Sequence, residues 1–185
     1  MKILFVRHGV TKNNKLKVLN GQKSDEPLEP EGFEQARETA KKLPNDLVKI
    51  YASDMIRTVQ TAETINEILD LEIIKCPELR EVDFGSLTGK KYKDSLGNFI
   101  NLPGFSWKDW EDLNYDLRPL QGESAVDVKN RVSIFIDRVK NIHKADDKIL
   151  VVTHGGILRL LYFVYKKEKM NDVKNASIHE FEFMN

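Results

Sequence analysis

The hydrophobic pattern of the chain alternates between short apolar runs and longer segments with apolar residues at helical spacing. Five runs predict β-strands, over residues 3–6, 48–53, 71–75, 148–153 and 177–183. The first and fourth are apolar runs of the kind typical of strands buried on both faces of a parallel sheet. The fifth alternates between its two faces, which indicates an edge strand with one face toward water.

Four segments between these strands predict α-helices, over residues 30–43, 54–69, 124–142 and 156–165. The first begins with Pro30, a residue favoured in the first turn of a helix, and it stops before Pro44. The last is apolar almost throughout, which predicts a buried helix. Strands that alternate with helices indicate an α/β fold with a mostly parallel sheet.

Residues 90–121 do not follow this alternation. They show little periodicity, contain several glycines and prolines, and include both tryptophans of the chain. An irregular segment of this length inside a compact domain is usually functional, often as a lid or a binding loop. The alternative is a surface subdomain whose aromatic residues only pack on the core, and the two interpretations are compatible. The chain has 185 residues, and we expect residues 1–185 to form a single domain that includes this segment.

Chemically active residues follow the first and fourth strands. The two motifs are Arg7-His8-Gly9 and His154-Gly155-Gly156. Open parallel sheets bind ligands at the C-terminal ends of their strands, so both motifs are expected at one site. The fixed charge of the arginine disfavours a metal ion and favours an anion, most naturally a phosphate held in a bidentate fork. The glycines of the second motif expose backbone N–H groups at a helix N-terminus, where anions also bind.

Two further segments supply candidate residues for the same edge of the sheet. Arg57 falls in the first turns of the helix that follows the second strand. The alternative is an exposed arginine that pairs with Asp54 or Glu63, an interaction worth under ~1 kcal/mol. Glu81 and Asp83 lie in a loop after the third strand, and on chemistry alone either carboxyl is a candidate to protonate a leaving oxygen.

Composition narrows the classes of function. Lysine plus arginine and aspartate plus glutamate both number 29, so the formal net charge is zero. This balance gives no support to a nucleic-acid or membrane-surface protein. The single cysteine, Cys76, is expected to be a buried structural thiol in a reducing, cytoplasmic compartment. No segment resembles a signal peptide, and no apolar stretch approaches the ~20 residues that span a bilayer. His143 and His179 are expected to be structural or exposed.

The motifs taken in order resemble those of the histidine phosphatase superfamily, the phosphoglycerate mutase-like proteins. The resemblance covers nearly the whole chain. It is carried by Arg7-His8-Gly9 with Thr11 and Asn14, Asn20-Gly21 with Asp25 and Pro27-Leu28, the segment 53–62, Leu79-Arg80-Glu81 with Phe84-Gly85, Gly122-Glu123-Ser124, and His154-Gly155-Gly156. The fold that the resemblance implies is a three-layer α/β/α sandwich whose mostly parallel central sheet has an antiparallel edge strand.

The resemblance also implies roles for individual residues. The implied catalytic residues are His8, Glu81, His154, Arg7 and Arg57, and the implied substrate-binding residues are Thr11, Asn14, Asn20, Gly21 and Gly155. His8 would attack phosphorus through Nε2 and form a phosphohistidine, with a backbone carbonyl as the acceptor for its Nδ1 proton. The two arginines and the second histidine would hold the non-bridging oxygens. Glu81 would act as the acid, because Gly155 stands where the other large branch of the superfamily has an aspartate. Asp83 is expected to be solvated or to cap the loop.

Phosphatase and mutase both remain open within this family. Residues 90–121 contain only Arg118 in place of the arginine pair typical of phosphoglycerate mutases, so the extra cations for a second acidic group are expected to be missing. This favours a metal-independent phosphatase, without a cofactor, that acts on a small phosphomonoester. The aromatic residues expected to form an apolar wall over the leaving group are Phe99, Phe105, Trp107, Trp110 and Tyr115.

Three alternatives stay open beside the small-molecule phosphatase. They are a cofactor-dependent phosphoglycerate mutase, a phosphoprotein phosphatase, and a non-catalytic module that binds phosphorylated proteins. The expected partner is the small-molecule substrate, with no nucleic acid and no membrane. The alternating last strand also offers an edge through which a homodimer could form.

Overall fold

The computed structural model describes residues 1–170 and 172–183 of the chain. The β-strands are β1 (Lys2–Arg7), β2 (Leu47–Ala52), β3 (Ile73–Lys75), β4 (Lys148–Thr153) and β5 (Ile178–Glu182). The α-helices are α1 (Lys12–Leu16), α2 (Pro30–Ala40), α3 (Ile56–Leu69), α4 (Trp107–Glu111), α5 (Ala125–Ile142) and α6 (Gly155–Leu161). Short 3-10 turns cover Pro77–Leu79, Gly85–Leu87 and Arg118–Leu120, and a π-helical turn, Tyr162–Lys166, follows α6. The expected domain spans residues 1–185, of which 171, 184 and 185 lie outside the described part.

The strands form one sheet in the order β3-β2-β4-β1-β5. Strand β4 pairs in parallel with both β1 and β2, and β3 is parallel to β2. Strand β5 lies at the edge and runs antiparallel to β1. His179 and Phe181 of β5 are buried, whereas Glu180 and Glu182 are exposed. The predicted mostly parallel sheet with an antiparallel, half-wet edge strand is therefore confirmed.

The two faces of the sheet carry separate hydrophobic cores. Ile3 and Phe5 of β1 pack on the side of α5 and α6, while Leu4 and Val6 pack on the side of α2 and α3. Successive side chains of a strand point to opposite faces, so a strand between two helical layers is apolar at every position. The three-layer α/β/α sandwich is confirmed, and β1 and β4 lie at its centre.

The structure differs from the predicted helices at several ends. Helix α1 was not predicted, because its five residues show no apolar stripe and it begins at a capping box of Thr11 and Asn14. Helix α3 begins at Ile56 instead of residue 54, since Asp54 lies outside the helix and pairs with Arg80. The predicted last helix begins one residue earlier, and its final turn is π-helical.

The irregular segment 90–121 both packs on the core and lines the candidate site. Leu102, Phe105, Tyr115 and Leu117 are buried in the core on the α5 side of the sheet. Other aromatic residues of the same segment line the cavity of the candidate site. The segment is therefore packed on the domain through some residues and forms a wall of that site through others.

The residues expected to be structural have structural partners. Cys76 is buried, and burial raises the pKa of its thiol to about 11. His143 lies within hydrogen-bond distance of the Tyr51 hydroxyl, at 2.9 Å. His179 lies between two hydroxyls, with the oxygen of Tyr162 at 3.0 Å and that of Ser177 at 2.7 Å. No helix in the part of the chain that the structure describes has both the length and the apolar character needed to cross a bilayer.

Candidate active site

The register between β1 and β4 brings two histidines together. Arg7 pairs with Thr153 at the ends of these two strands. The residues that follow, His8 and His154, therefore lie at the same edge of the sheet. The backbone N–H of His8 donates to the carbonyl of Thr153 at 3.0 Å. The two imidazole rings pack edge to face, with centroids 5.3 Å apart and planes at 62°. The predicted convergence of the two strand ends is therefore present.

The environment of His8 favours a neutral imidazole with a free Nε2. Its Nδ1 lies 2.7 Å from the carbonyl oxygen of Gly9. Because a carbonyl can only accept, Nδ1 carries the proton and Nε2 carries the lone pair. Burial is the main cause that holds the pKa of His8 well below its ordinary value of 6.5, and the positive charges of Arg57 and Arg7 lower it further.

His154 is fully buried behind His8. Its Nε2 lies 3.0 Å from the hydroxyl oxygen of Ser53, the residue after β2. Its Nδ1 has no hydrogen-bond partner among the described residues. Burial first, and the charge of Arg57 second, hold the pKa of His154 well below 6.5. The site therefore contains two neutral imidazoles side by side.

Arg57 is a buried cation in the first turn of α3, with 0% of its surface exposed. Its Nη1 donates to the carbonyl of Ser24 at 2.9 Å, and its Nη2 donates to the carbonyl of Gly21 at 3.1 Å. These two acceptors are neutral and orient the guanidinium, while a carboxylate oxygen of the half-exposed Asp25 lies 3.9 Å from Nη1. The alternative of an exposed arginine paired with Asp54 is wrong, because Asp54 pairs with Arg80.

Arg7 reaches the site from the end of β1. Its Nη1 donates to the carbonyl of Val173, and its buried Nε has no hydrogen-bond partner within residues 1–170 and 172–183. Asn175, in the same segment between α6 and β5, donates from Nδ2 to the carbonyl of His8 and to Oδ1 of Asn14, both at 3.0 Å. Sequence reasoning missed this segment, because it carries no pattern that points to the strand ends.

Glu81 lies at the N-terminus of α6. Its carboxylate accepts hydrogen bonds from the N–H of Gly156, at 3.1 and 3.2 Å, and from the N–H of Val82, at 2.9 Å. A negative charge is favourable there because the helix dipole places positive potential at the first turn. A Cβ on residue 156 would lie 2.3 Å from Oε1 of Glu81, so only glycine leaves room for the carboxylate. Asp83 instead accepts from the N–H of Gly85 at 2.8 Å and caps its own loop.

These residues surround one cavity of about 580 Å³. The predicted catalytic residues that line it are Arg7, His8, Arg57 and Glu81, and the predicted binding residues that line it are Asn14, Asn20, Gly21 and Gly155. His154 does not itself line the cavity, because it is fully buried with its ring packed against that of His8. Thr11 is not among the lining residues, since it is buried as the cap of α1 and accepts from the amide of Asn20 at 3.4 Å.

Apart from the residues around His8, the lining of the cavity is largely aromatic, and we call this part the outer cavity. The aromatic residues that line it are Phe84, Tyr92, Phe99, Trp107 and Trp110. Phe105 and Tyr115 were expected in this wall, but they are buried in the core beneath it. Trp107 packs edge-on against Phe105, at a centroid distance of 4.7 Å. The expectation is therefore wrong for these two residues, which support the wall instead of forming it.

Three further cations line the outer cavity, Lys17, Lys93 and Arg159. The expectation that extra cations are missing is therefore wrong. The guanidinium of Arg159 lies over the ring of Trp110, 5.4 Å from its centroid, and donates to the carbonyl of Met170 at 2.8 Å. Arg159 follows Gly155 by four residues on α6, and this spacing, which places two residues on one helix face, was the available signal in the sequence.

The two buried histidines of the site, His8 and His154, predict how stability depends on pH. We expect the free energy of unfolding to fall as the pH drops below about 6.5, because the unfolded histidines then bind protons that the folded ones, with their lowered pKa values, do not. Each histidine contributes a slope of up to ~1.4 kcal/mol per pH unit between 6.5 and its lowered pKa. Urea unfolding between about pH 5.5 and pH 8 measures this slope. His8→Asn is expected to reduce the slope, and equal slopes in both proteins would contradict the assignment.

The chain is similar to known proteins in both sequence and structure. The family model of the histidine phosphatase superfamily (branch 1) matches residues 3–185. The probable phosphoglycerate mutase GpmB of Proteus mirabilis is 30% identical over 193 residues, covering 100% of this chain and 86% of the relative. The metal-independent phosphoserine phosphatase of Arabidopsis thaliana is 30% identical over 182 residues, covering 96% of this chain and 74% of the relative. A solved structure, that of the mycobacterial glucosyl-3-phosphoglycerate phosphatase in complex with VO3, is similar to this chain with a TM-score of 0.83 and 25% identity. The similarity covers 97% of this chain and 91% of the mycobacterial chain.

Proposed function

The chain belongs to the histidine phosphatase superfamily, and we propose that it hydrolyses a small phosphomonoester through a phosphohistidine formed at His8, without a metal ion. One observation carries the proposal. The bond from Nδ1 of His8 to the Gly9 carbonyl leaves Nε2 with its lone pair in a cavity that two guanidinium groups share. A neutral imidazole beside fixed cations is suited to attack a phosphoryl group.

The first half-reaction transfers the phosphoryl group to the enzyme. Nε2 of His8 attacks phosphorus in line, the N–P bond forms, and the bond to the ester oxygen breaks. Arg7 and Arg57 supply positive charge to the non-bridging oxygens, where the transition state concentrates its negative charge. The N–H of Gly155, at the N-terminus of α6, is a further donor. His154 is the last proposed donor to the phosphoryl group. When its Nε2 accepts a hydrogen bond from Ser53, its Nδ1 carries the proton and can donate.

The second half-reaction returns the enzyme to its starting state. Glu81 enters the first step protonated and gives its proton to the departing alkoxide, and the resulting carboxylate then takes a proton from water in the second step. The water oxygen attacks phosphorus, the N–P bond breaks, and inorganic phosphate leaves with His8 neutral again. The hydrogen bonds from the N–H groups of Val82 and Gly156 support this role, because they hold the carboxylate in the cavity that contains His8.

A phosphoglycerate mutase is the second candidate. Lys17, Lys93 and Arg159 in the outer cavity favour it, because a mutase must hold an acidic intermediate while the phosphoryl group returns to a second hydroxyl. A relative that is 30% identical also carries the name of a probable phosphoglycerate mutase. The two reactions share the first half-reaction and differ in whether water or a substrate hydroxyl accepts the phosphoryl group.

One set of assays tests the proposal against its alternatives. We expect the purified protein to release phosphate from p-nitrophenyl phosphate and from some members of a panel of small metabolite esters, at the same rate with and without a chelator. Isomerisation of phosphoglycerate, primed with bisphosphoglycerate, is measured in parallel, and turnover faster than phosphate release would replace the hydrolase by the mutase. Faster turnover of a phosphoprotein than of every small ester would identify a protein phosphatase. A protein that is inert throughout the panel but binds phosphate contradicts a catalytic function.

A further inference from the structure

We infer that Arg131 and Glu123 are positioning residues for the general acid: together they hold the backbone of the loop that carries Glu81 through hydrogen bonds. This inference rests on the proposed function, because it takes Glu81 to be the acid. We call residues 78–83 the acid loop. Its second half has no regular secondary structure, since the 3-10 turn ends at Leu79. Side-chain contacts are therefore needed to hold this part of the loop in place.

The guanidinium of Arg131 binds three backbone carbonyls of the acid loop. Arg131 lies on α5. Its Nη1 donates to the carbonyls of Glu78 and Arg80, both at 2.7 Å, and its Nη2 donates to the carbonyl of Glu81 at 3.1 Å. Only 17% of the side chain is exposed. One side chain thus bridges the two ends of the turn that leads into the acid.

The carboxylate of Glu123 fixes both the guanidinium and the far end of the acid loop. It accepts from Nε of Arg131 at 2.8 Å and from Nη2 at 2.9 Å. It also accepts from the N–H of Asp83 at 3.0 Å and from Nε2 of Gln22 at 3.0 Å. The backbone N–H of Glu123 donates in turn to the carbonyl of Asp83 at 3.0 Å. This carboxylate, with 20% of its side chain exposed, is therefore tied to the loop two residues beyond the acid.

The arrangement uses the full hydrogen-bonding capacity of an arginine. A guanidinium has five N–H groups in a rigid planar fork, and Arg131 makes five hydrogen bonds, three to carbonyls and two to the Glu123 carboxylate. A lysine ammonium has three donors on one nitrogen and cannot reach three carbonyls and two carboxylate oxygens together. Glu81 is consequently held on two sides, through its backbone by Arg131 and through its carboxylate by the N-terminus of α6. The position of the Glu81 carboxyl group relative to the ester oxygen therefore depends on both sets of hydrogen bonds.

Arg138 provides a matched control on the same helix. It lies seven residues after Arg131 and also contacts the acid-loop region, through the carboxylate of Glu78 and the sulfur of Cys76. Its side chain is 42% exposed. Arg138→Lys therefore removes an arginine fork from α5 without touching the backbone that carries Glu81.

The test compares two esters that differ in their need for an acid. A p-nitrophenolate leaves without being protonated, whereas the alkoxide of glycerol phosphate requires a proton, so loss of the acid lowers the alkyl rate more than the aryl rate. We expect Glu81→Gln to lower the ratio of alkyl to aryl kcat/KM, which reports the steps up to phosphoryl transfer, by about 10²-fold. Arg131→Lys is expected to lower it by about tenfold, and Arg138→Lys to leave it within twofold. A purely structural role would lower both rates equally and leave the ratio unchanged.

The outcomes separate the inference from the proposed function. An unchanged ratio in Glu81→Gln removes Glu81 as the acid and with it this part of the proposed mechanism. A lowered ratio in Glu81→Gln together with a wild-type ratio in Arg131→Lys overturns the inference alone. If Arg131→Lys does not fold, Glu123→Gln decides, because it keeps the shape of the side chain and weakens the charge-assisted grip on Arg131. We expect it to lower the ratio several-fold, and a wild-type ratio in that variant also overturns the inference.

Discussion

His8→Ala is expected to lower kcat on a phosphomonoester by on the order of 10⁴-fold or more, because it removes the atom that forms the covalent bond to phosphorus. The wild-type protein, quenched during turnover, is expected to carry one phosphoryl group, and the variant none. Intact mass under conditions that preserve phosphohistidine measures this directly. Substrate binding should persist in the variant, since Arg7 and Arg57 remain in the cavity.

His179→Ala is the control for the His8 variant. His179 is also a buried histidine near β1, but it lies on the edge strand and its ring contacts the hydroxyls of Tyr162 and Ser177. Its removal is expected to lower stability and to leave kcat within about threefold. A His8→Ala protein that keeps more than about a tenth of the wild-type rate would refute the covalent mechanism, as would a phosphoryl group that forms on another residue.

Arg57→Lys is expected to lower kcat/KM by on the order of 10³-fold although the charge is retained. The buried guanidinium donates to the carbonyls of Gly21 and Ser24 and still faces the cavity, which a single ammonium cannot do from the same position. One of the two carbonyls then loses its donor, so the variant is also expected to be less stable by ~1–3 kcal/mol. Steady-state kinetics and chemical unfolding measure the two effects separately.

Arg80→Lys is the matched control for Arg57→Lys. Arg80 makes a bidentate contact with Asp54 near the same edge of the sheet, including a 2.7 Å bond from its Nε, but its side chain is 43% exposed. A solvent-exposed ion pair is worth under ~1 kcal/mol, so this substitution is expected to change kcat/KM by less than about threefold. Equal losses in the two variants would mean that Arg57 acts only through the fold.

The cations of the outer cavity bear on which acceptor takes the phosphoryl group. The expectation of a phosphatase relied on the absence of an arginine pair from residues 90–121, but Lys93 of that segment lines the cavity, and Lys17 and Arg159 come from other parts of the chain. Glu111 and Asp172 line the same cavity, so the outer part carries charges of both signs. The geometry at His8 supports the phosphohistidine step that both reactions share, and the paired assays of phosphate release and isomerisation decide the acceptor.

The sequence by itself determined the fold class and the edge of the sheet at which the site lies. A strand covered by helices on both faces must be apolar at every position, and this requirement is visible in a single chain. Parallel strands run in one direction, so the residues that follow them meet at one edge. For this reason the order of strands and motifs along the chain is enough to place His8, His154 and Arg57 at the same edge of the sheet.

Only the tertiary structure decided which neighbours each of these residues has. The pairing of Arg7 with Thr153 joins segments far apart in the chain, and hydrophobic periodicity reports which side of a strand is buried but not its partner. The helix terminus that binds the carboxylate of Glu81 and the hydrogen bonds from Arg131 to the acid loop both depend on such distant pairings. The structure also decided that Phe105 is buried in the core whereas Trp107 lines the cavity. The sequence does not distinguish them, because an irregular segment has no periodicity that shows which of its residues face inward.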